Sequence, residues 1–142
     1  MGKATNPKTL ARDLNRALPL LARDAVASAV AAGALPGADG IALAPRLAEL
    51  AAAEVADLER LAARVVSLGA APSVQIGKLD LPKGTGPALK WLVRMQREAT
   101  DAVVAAIPAD ADDAEGEATE HLLEHIVARK RDVIELLERA QR

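Results

Sequence analysis

The chain has 142 residues, a formal net charge of −2 and a pI near 5.7, the size of one domain that buries about two-thirds of its unfolded surface in a single core. With no Cys it forms no disulfide, zinc-thiolate site or thiol nucleophile, and its acidic balance denies it the basic footprint that nucleic-acid binding requires. About a quarter of the residues are Ala, Phe and Tyr are absent and Trp91 is the single aromatic, so the core must be built from Leu, Val, Ile and Ala, a strongly helix-forming set.

The first eight residues, MGKATNPK, hold no apolar signal core. The most apolar stretch, Ala25 to Ala38, is interrupted by Gly33, Pro36 and Gly37 and reads as too short to span a bilayer. The expectation is a soluble cytoplasmic protein with no membrane partner, organised as one domain over residues 1–142. The first helix is expected from the Asn6-Pro7 pair, a side-chain cap followed by Pro at the first helical position, to about Gly33. Pro19 should kink it or break off its first turns. The second helix is expected from Pro45 to Gly69, a terminating glycine. An extended connector follows from Ala70 to Thr85. The third helix opens at Gly86-Pro87 and closes before Pro108. The fourth follows the acidic turn DADDAEGE, whose carboxylates suit the positive end of a helix dipole, and runs almost to Arg142.

Apolar stripes at alternating spacings of three and four run along all four helices. The first offers Leu14, Leu18, Leu21, Ala25 and Ser28. The second gives Leu47, Ala51, Glu54, Leu58, Leu61, Val65 and Leu68. The third gives Leu89, Leu92, Gln96, Ala99, Val103 and Ala106, and the fourth Leu123, Ile126, Lys130, Val133, Leu137 and Ala140. Three stripes therefore carry one polar residue near mid-helix: Glu54, Gln96 and Lys130.

The alanine-rich second helix with Glu54 and Asp57, the run RVVSLGAAPSVQIGKLDL after it and the pair Leu14-Asn15 resemble the bacterioferritin family. The resemblance implies an all-α, ferritin-like fold: an antiparallel four-helix bundle with one long crossover between the second and third helices. In that family a Glu from the first and third helices and Glu-x-x-His from the second and fourth hold two iron ions. Aligned on this chain, those positions fall on Leu21, Glu54 and Asp57, Gln96, and Lys130 and Val133, and the haem-ligating Met falls on Val55. Two iron ions need anionic ligands, and a Lys at a bridging position deletes a ligand and adds repulsion. The resemblance thus implies a bundle without an intact di-iron ferroxidase centre and with no cofactor or haem. Its polar cluster would be Glu54, Asp57, Gln96 and Lys130, with the Lys130 ammonium paired to Glu54 and Asp57 and Gln96 completing the hydrogen bonds. The bland alternative has Lys130 reaching solvent and Glu54 at a bundle edge.

The expected role is a non-catalytic structural or interaction module, working as a homodimer or larger homo-oligomer. Family members pair through their first two helices, where Ala25, Ala27, Ala29, Ala31, Ala51 and Ala52 would permit close approach. The alternative is enzymatic: iron oxidation or storage, or another metal-dependent oxidation, at a rearranged site with Glu54 and Asp57 as metal ligands, helped by Asp24 or Glu98. A third reading is a small-molecule pocket near Gln96 and Trp91.

The remaining motifs read plainly. HLLEH, His121 to His125, matches an inverted zinc-protease pattern but lacks a third ligand from another element, so two surface histidines are expected. The acidic run from Asp110 to Glu117 misses calcium-loop spacing, Gly84-Thr85-Gly86 is no phosphate loop, and Trp91 either anchors a partner or caps the core.

Overall fold

The computed structural model describes residues 6–109 and 112–142 and has four helices: α1 (Pro7–Ala34), α2 (Gly37–Ser67), α3 (Thr85–Ala106) and α4 (Ala114–Arg139). They form the expected antiparallel bundle with one long connection between α2 and α3. Asn6 starts α1 by accepting hydrogen bonds from the amides of Lys8 and Thr9 at 3.0 and 3.3 Å. Pro19 does not break off the first turns: α1 is continuous, with Leu18 buried beside it.

The boundary of α2 differs from expectation by two turns. The helix begins at Gly37, eight residues before Pro45, and carries that proline inside it. A proline costs the helix one hydrogen bond and a steric conflict. Here Leu43 and Leu47 pack with Leu35 and Ala31 in one apolar cluster, and that burial holds the turns ahead of Pro45 in place. The α1–α2 corner is tight. A Cβ on Gly40 would lie 2.6 Å from the carbonyl carbon and oxygen of Leu35, so the corner admits only glycine there.

Gly69, at φ +86, closes α2, with its own amide donating to the Val66 carbonyl and the Ala70 amide to that of Val65. The connector over 70–84 has no regular hydrogen-bond ladder. Asn15 on α1 supplies one locally: its Nδ2 donates to the Ala71 carbonyl and its Oδ1 accepts from the Ser73 amide, both at 3.0 Å. Leu79 and Leu81 then pack against the core.

That core has two halves. One gathers Leu14, Leu18 and Leu21 with Leu61, Val65, Val103, Leu123 and Ile126. The other gathers Ala27, Ala31, Leu47, Leu50, Leu89, Leu92, Val133 and Leu137. Between them, at mid-height on every helix, lie buried polar groups: Asp24, Glu54, Asp57, Gln96 and Lys130. Trp91 is half-buried against the second half-core. α2 and α4 meet far less than α1 meets α2 or α3 meets α4.

Two further expectations are corrected. The whole of α1, 28 residues with a window of mean hydropathy 1.3, is long and apolar enough to cross a bilayer. Half of that window is buried inside the bundle, where a core helix needs the same composition. Of the six alanines assigned to an outer face, Ala25, Ala27, Ala31 and Ala51 are buried within the bundle, and only Ala29 and Ala52 are exposed. The exposed large apolar side chains of α1 and α2 are instead Val26, Val30, Ile41, Val55 and Val66.

Candidate functional site

The polar layer is closed around one amine. Lys130 is 2 % exposed, and its Nζ donates to Asp24 Oδ2 at 2.9 Å, Gln96 Oε1 at 2.9 Å and Glu54 Oε2 at 3.5 Å. An ammonium has three N–H donors, so each finds an acceptor and none is left for water. Gln96 is fixed in turn because its Nε2 donates to Glu54 Oε1 at 2.9 Å. Each of the four helices contributes one of these groups, and Lys130 does not reach solvent.

Asp24 is the strongest partner of Lys130, a role expected for Glu54 and Asp57. The three-four alternation on the first helix chose Leu21, Ala25 and Ser28, whereas the equally regular series Leu21, Asp24, Ser28 is also buried. The inward face of α1 is wide enough to hold both, and the polar member was the informative one. Asp57 stands apart from Lys130. It is buried, with Arg129 Nε at 2.9 Å from Oδ2 and Arg60 Nη1 at 3.3 Å from Oδ1. The Arg129 contact is a close ion pair whose N–H points away from the oxygen, and Nε gains no hydrogen bond from it. Arg129 Nη2 is also 2.9 Å from His125 Nε2. Glu98 lies at the surface and meets Arg23 at 3.4 Å, outside the cluster.

Arg23 adds a second positive charge at the edge of the layer. Its Nη2 donates to the Met95 carbonyl at 3.1 Å and lies 3.5 Å from Asp24 Oδ1. Burial pushes the Asp24 carboxyl up from 3.8 to about 6, with Lys130 opposing that rise. Burial raises Glu54 as well, again opposed by Lys130 and by the Gln96 hydrogen bond. In both groups desolvation outweighs the attraction of the ammonium.

Leu21 and Val133 are buried among apolar side chains and Val55 is exposed, so none offers a metal donor. Among the described residues, no group of three or more His, Cys, Asp or Glu side chains is placed to hold a metal ion. The layer supplies two carboxylates, one amide and one ammonium, and Asp57 is engaged by arginines. That donor set does not fit a pair of iron ions, since a fixed cation stands where anionic ligands would converge. His121 and His125 are both exposed on α4. In the acidic turn, Asp113 caps α4 by accepting from the Gly116 amide at 2.6 Å, and Asp110 lies outside the described residues. A groove of about 550 Å³ runs between α3 and α4, and neither Gln96 nor Trp91 lines it.

No protein-family model and no curated protein matches the chain. Solved structures do. A protein from Bacillus anthracis str. Ames, described as a ferritin-like diiron-carboxylate protein, superposes with a TM-score of 0.87 at 17% identity, covering 99% of this chain and 100% of that one. A bacterioferritin-related protein from Bacteroides fragilis, described as a dodecameric thioferritin, gives 0.83 at 19% identity over 98% of this chain and 87% of that one. A DPS protein from Vibrio cholerae O1, described as a member of the ferritin-like diiron-carboxylate superfamily, gives 0.65 at 16% identity over 100% and 99%. The chain therefore has the ferritin-like four-helix fold.

Proposed function

We propose that this chain is a ferritin-like bundle without a working di-iron centre, and that it acts as a structural or interaction module assembled from copies of itself. The observation that carries the reading is Lys130. Its ammonium sits at the middle of the bundle with all three donors satisfied, supplying from within the chain the positive charge that the buried carboxylates Asp24 and Glu54 need. Without that charge the two carboxylates would face each other in a dry layer.

Self-association is supported by the outer face of α1 and α2. Ile41, Val55 and Val66 on α2 are 71%, 53% and 59% exposed, and Val26 and Val30 on α1 are exposed as well. At 3.6 residues per turn the three α2 side chains fall on one side of that helix, and exposed apolar side chains aligned in this way suit a contact surface. The dodecameric state described for the Bacteroides fragilis protein is consistent with such an assembly.

Native mass and metal content of the untagged protein test the reading together. The expected result is a dimer or larger assembly holding no stoichiometric transition metal, with no oxygen consumption on adding Fe(II). The second reading, iron oxidation or storage at a rearranged site using Glu54 and Asp57, is favoured by the diiron-carboxylate descriptions of two structural relatives. Bound iron at one or two ions per chain together with Fe(II)-dependent oxygen uptake would establish it and overturn the first.

A further inference from the structure

The start of the chain carries an excess of positive charge. Residues 1–23 hold Lys3, Lys8, Arg12, Arg16 and Arg23 and a single acid, Asp13. Lys8, Arg12 and Arg16 stand four residues apart, so they line up on one side of α1 over about 12 Å, and all three are exposed. Asp13 lies 3.8 Å from both guanidiniums, too far for a hydrogen bond. Lys8 has no ion-pair partner among the described residues. Three cations thus share one carboxylate, and their N–H donors are left to solvent.

These three side chains wall a groove of about 460 Å³ between α1 and the turn that follows α2, and no carboxylate lines it. Ala11, Leu68 and Ala70 supply its apolar part, and Ser73 of the connector borders it. Ser73 is held in place by Asn15, whose Oδ1 accepts from the Ser73 amide while its Nδ2 donates to the Ala71 carbonyl. The Ser73 hydroxyl has no partner among the described residues and adds a donor on the side facing α1. The C-terminal end of α2 also borders the groove, and a helix end of that kind carries partial negative charge. Here the carbonyls of Arg64, Val65 and Val66 already accept from the amides of Leu68, Gly69 and Ala70, which blunts it.

We propose that this groove binds a polyphosphate, a small molecule carrying two or three phosphates in series. Arginine forks match phosphate oxygens two at a time, and a lysine ammonium adds a compact charge. A single phosphate cannot reach cations spread over about 12 Å, whereas a chain of phosphates meets several of them at once. No aromatic side chain lines the groove, so nothing there stacks on a base. Recognition is therefore of the phosphate chain, and inorganic tripolyphosphate and a nucleoside triphosphate bind alike. Exposed charges are screened by salt, which makes the binding salt-labile. The inference is separate from the self-assembly reading, which native mass decides by itself.

The test is calorimetric titration of the full chain with sodium tripolyphosphate at about 0.05 M and about 0.5 M salt, with orthophosphate and ATP as parallel probes. Tripolyphosphate and ATP should bind with similar affinity, each at least about tenfold more tightly than orthophosphate, and binding should weaken at least about tenfold at the higher salt. Lys8→Gln/Arg12→Gln/Arg16→Gln, at three exposed positions, should abolish it. Lys90→Gln/Arg94→Gln/Arg131→Gln removes the same charge from exposed positions elsewhere and should leave it within about twofold. Asp13→Asn should tighten it, because the one carboxylate that competes for Arg12 and Arg16 is gone. Bound tripolyphosphate should also slow proteolysis of the connector over 70–84, which forms part of the groove. No binding at low salt, equal losses in the two triple variants, or orthophosphate bound as tightly as tripolyphosphate would overturn the inference. Tighter binding of a short DNA duplex or of phosphatidylglycerol vesicles, lost in the first triple variant, would reassign the groove to nucleic acid or to a membrane surface.

Discussion

At Lys130 the energetic question is what remains when one partner is removed. Lys130→Met keeps the length of the side chain but leaves Asp24 and Glu54 without their shared cation, and breaking a buried pair costs about 3 to 5 kcal/mol. Adding Asp24→Asn to Lys130→Met should recover a large part of that loss, with a coupling of about 1 to 3 kcal/mol in urea unfolding; additive effects would mean that the two groups do not interact. The pH dependence has a definite sign. A carboxyl at about 6 in the fold and 3.8 as its ordinary value binds its proton more tightly when folded. Its contribution to stability is complete below about pH 4 and lost as the pH rises through about 6, a change on the order of 3 kcal/mol. Glu54 acts in the same direction. The stability of Asp24→Asn relative to the parent should therefore be more favourable at about pH 7.5 than at about pH 4, as unfolding of both proteins at the two pH values will reveal.

At the scale of helices and connections, two glycines make opposite predictions. Gly40→Ala forces a Cβ into the Leu35 backbone at 2.6 Å and should lower stability by several kcal/mol or abolish folding. Gly33→Ala, whose Cβ meets nothing within 4 Å, sits in the last turn of α1 and should raise stability by about 0.5 to 1 kcal/mol. Thermal melts of both decide whether the corner is as tight as described. Asn15→Ala removes two hydrogen bonds from the connector, at a cost of about 1 to 3 kcal/mol, and should expose residues 70–84 to proteolysis. The four helices, the crossover and three of the polar groups were legible because period and punctuation encode them directly. The start of α2 was not, since Pro45 carries a strong local stop signal and its override comes from Leu35 and Leu43, contacts that no local pattern contains. Asp24 was missed for a related reason: two inward series fit α1 equally well, and only packing shows that both are buried.

For the molecule as a whole, the valine face of α1 and α2 is the feature with the broadest reach. Val55 is exposed at mid-face, and Val55→Glu should reduce the native mass toward the monomer with little effect on helix content, by light scattering and circular dichroism. An unchanged mass would remove this face from the assembly. The small residues expected to serve there were half of the picture: alanines mark close approach, but whether they approach a neighbour within the bundle or a second copy depends on how each helix is rotated. Sequence periodicity fixes a stripe and leaves that rotation open.

The mid-height polar layer has one more effect. Helices faced only with Leu, Val and Ala can slide past one another with little penalty, and a displacement of one turn, about 5.4 Å, would still bury apolar surface. Here such a slip would drive Lys130 into leucines and strand Asp24 and Glu54, so the ionic belt works as a key that fixes vertical alignment. Replacing the belt with Leu and Met throughout should leave a bundle at least as resistant to urea, yet one whose amide resonances broaden as neighbouring alignments interconvert.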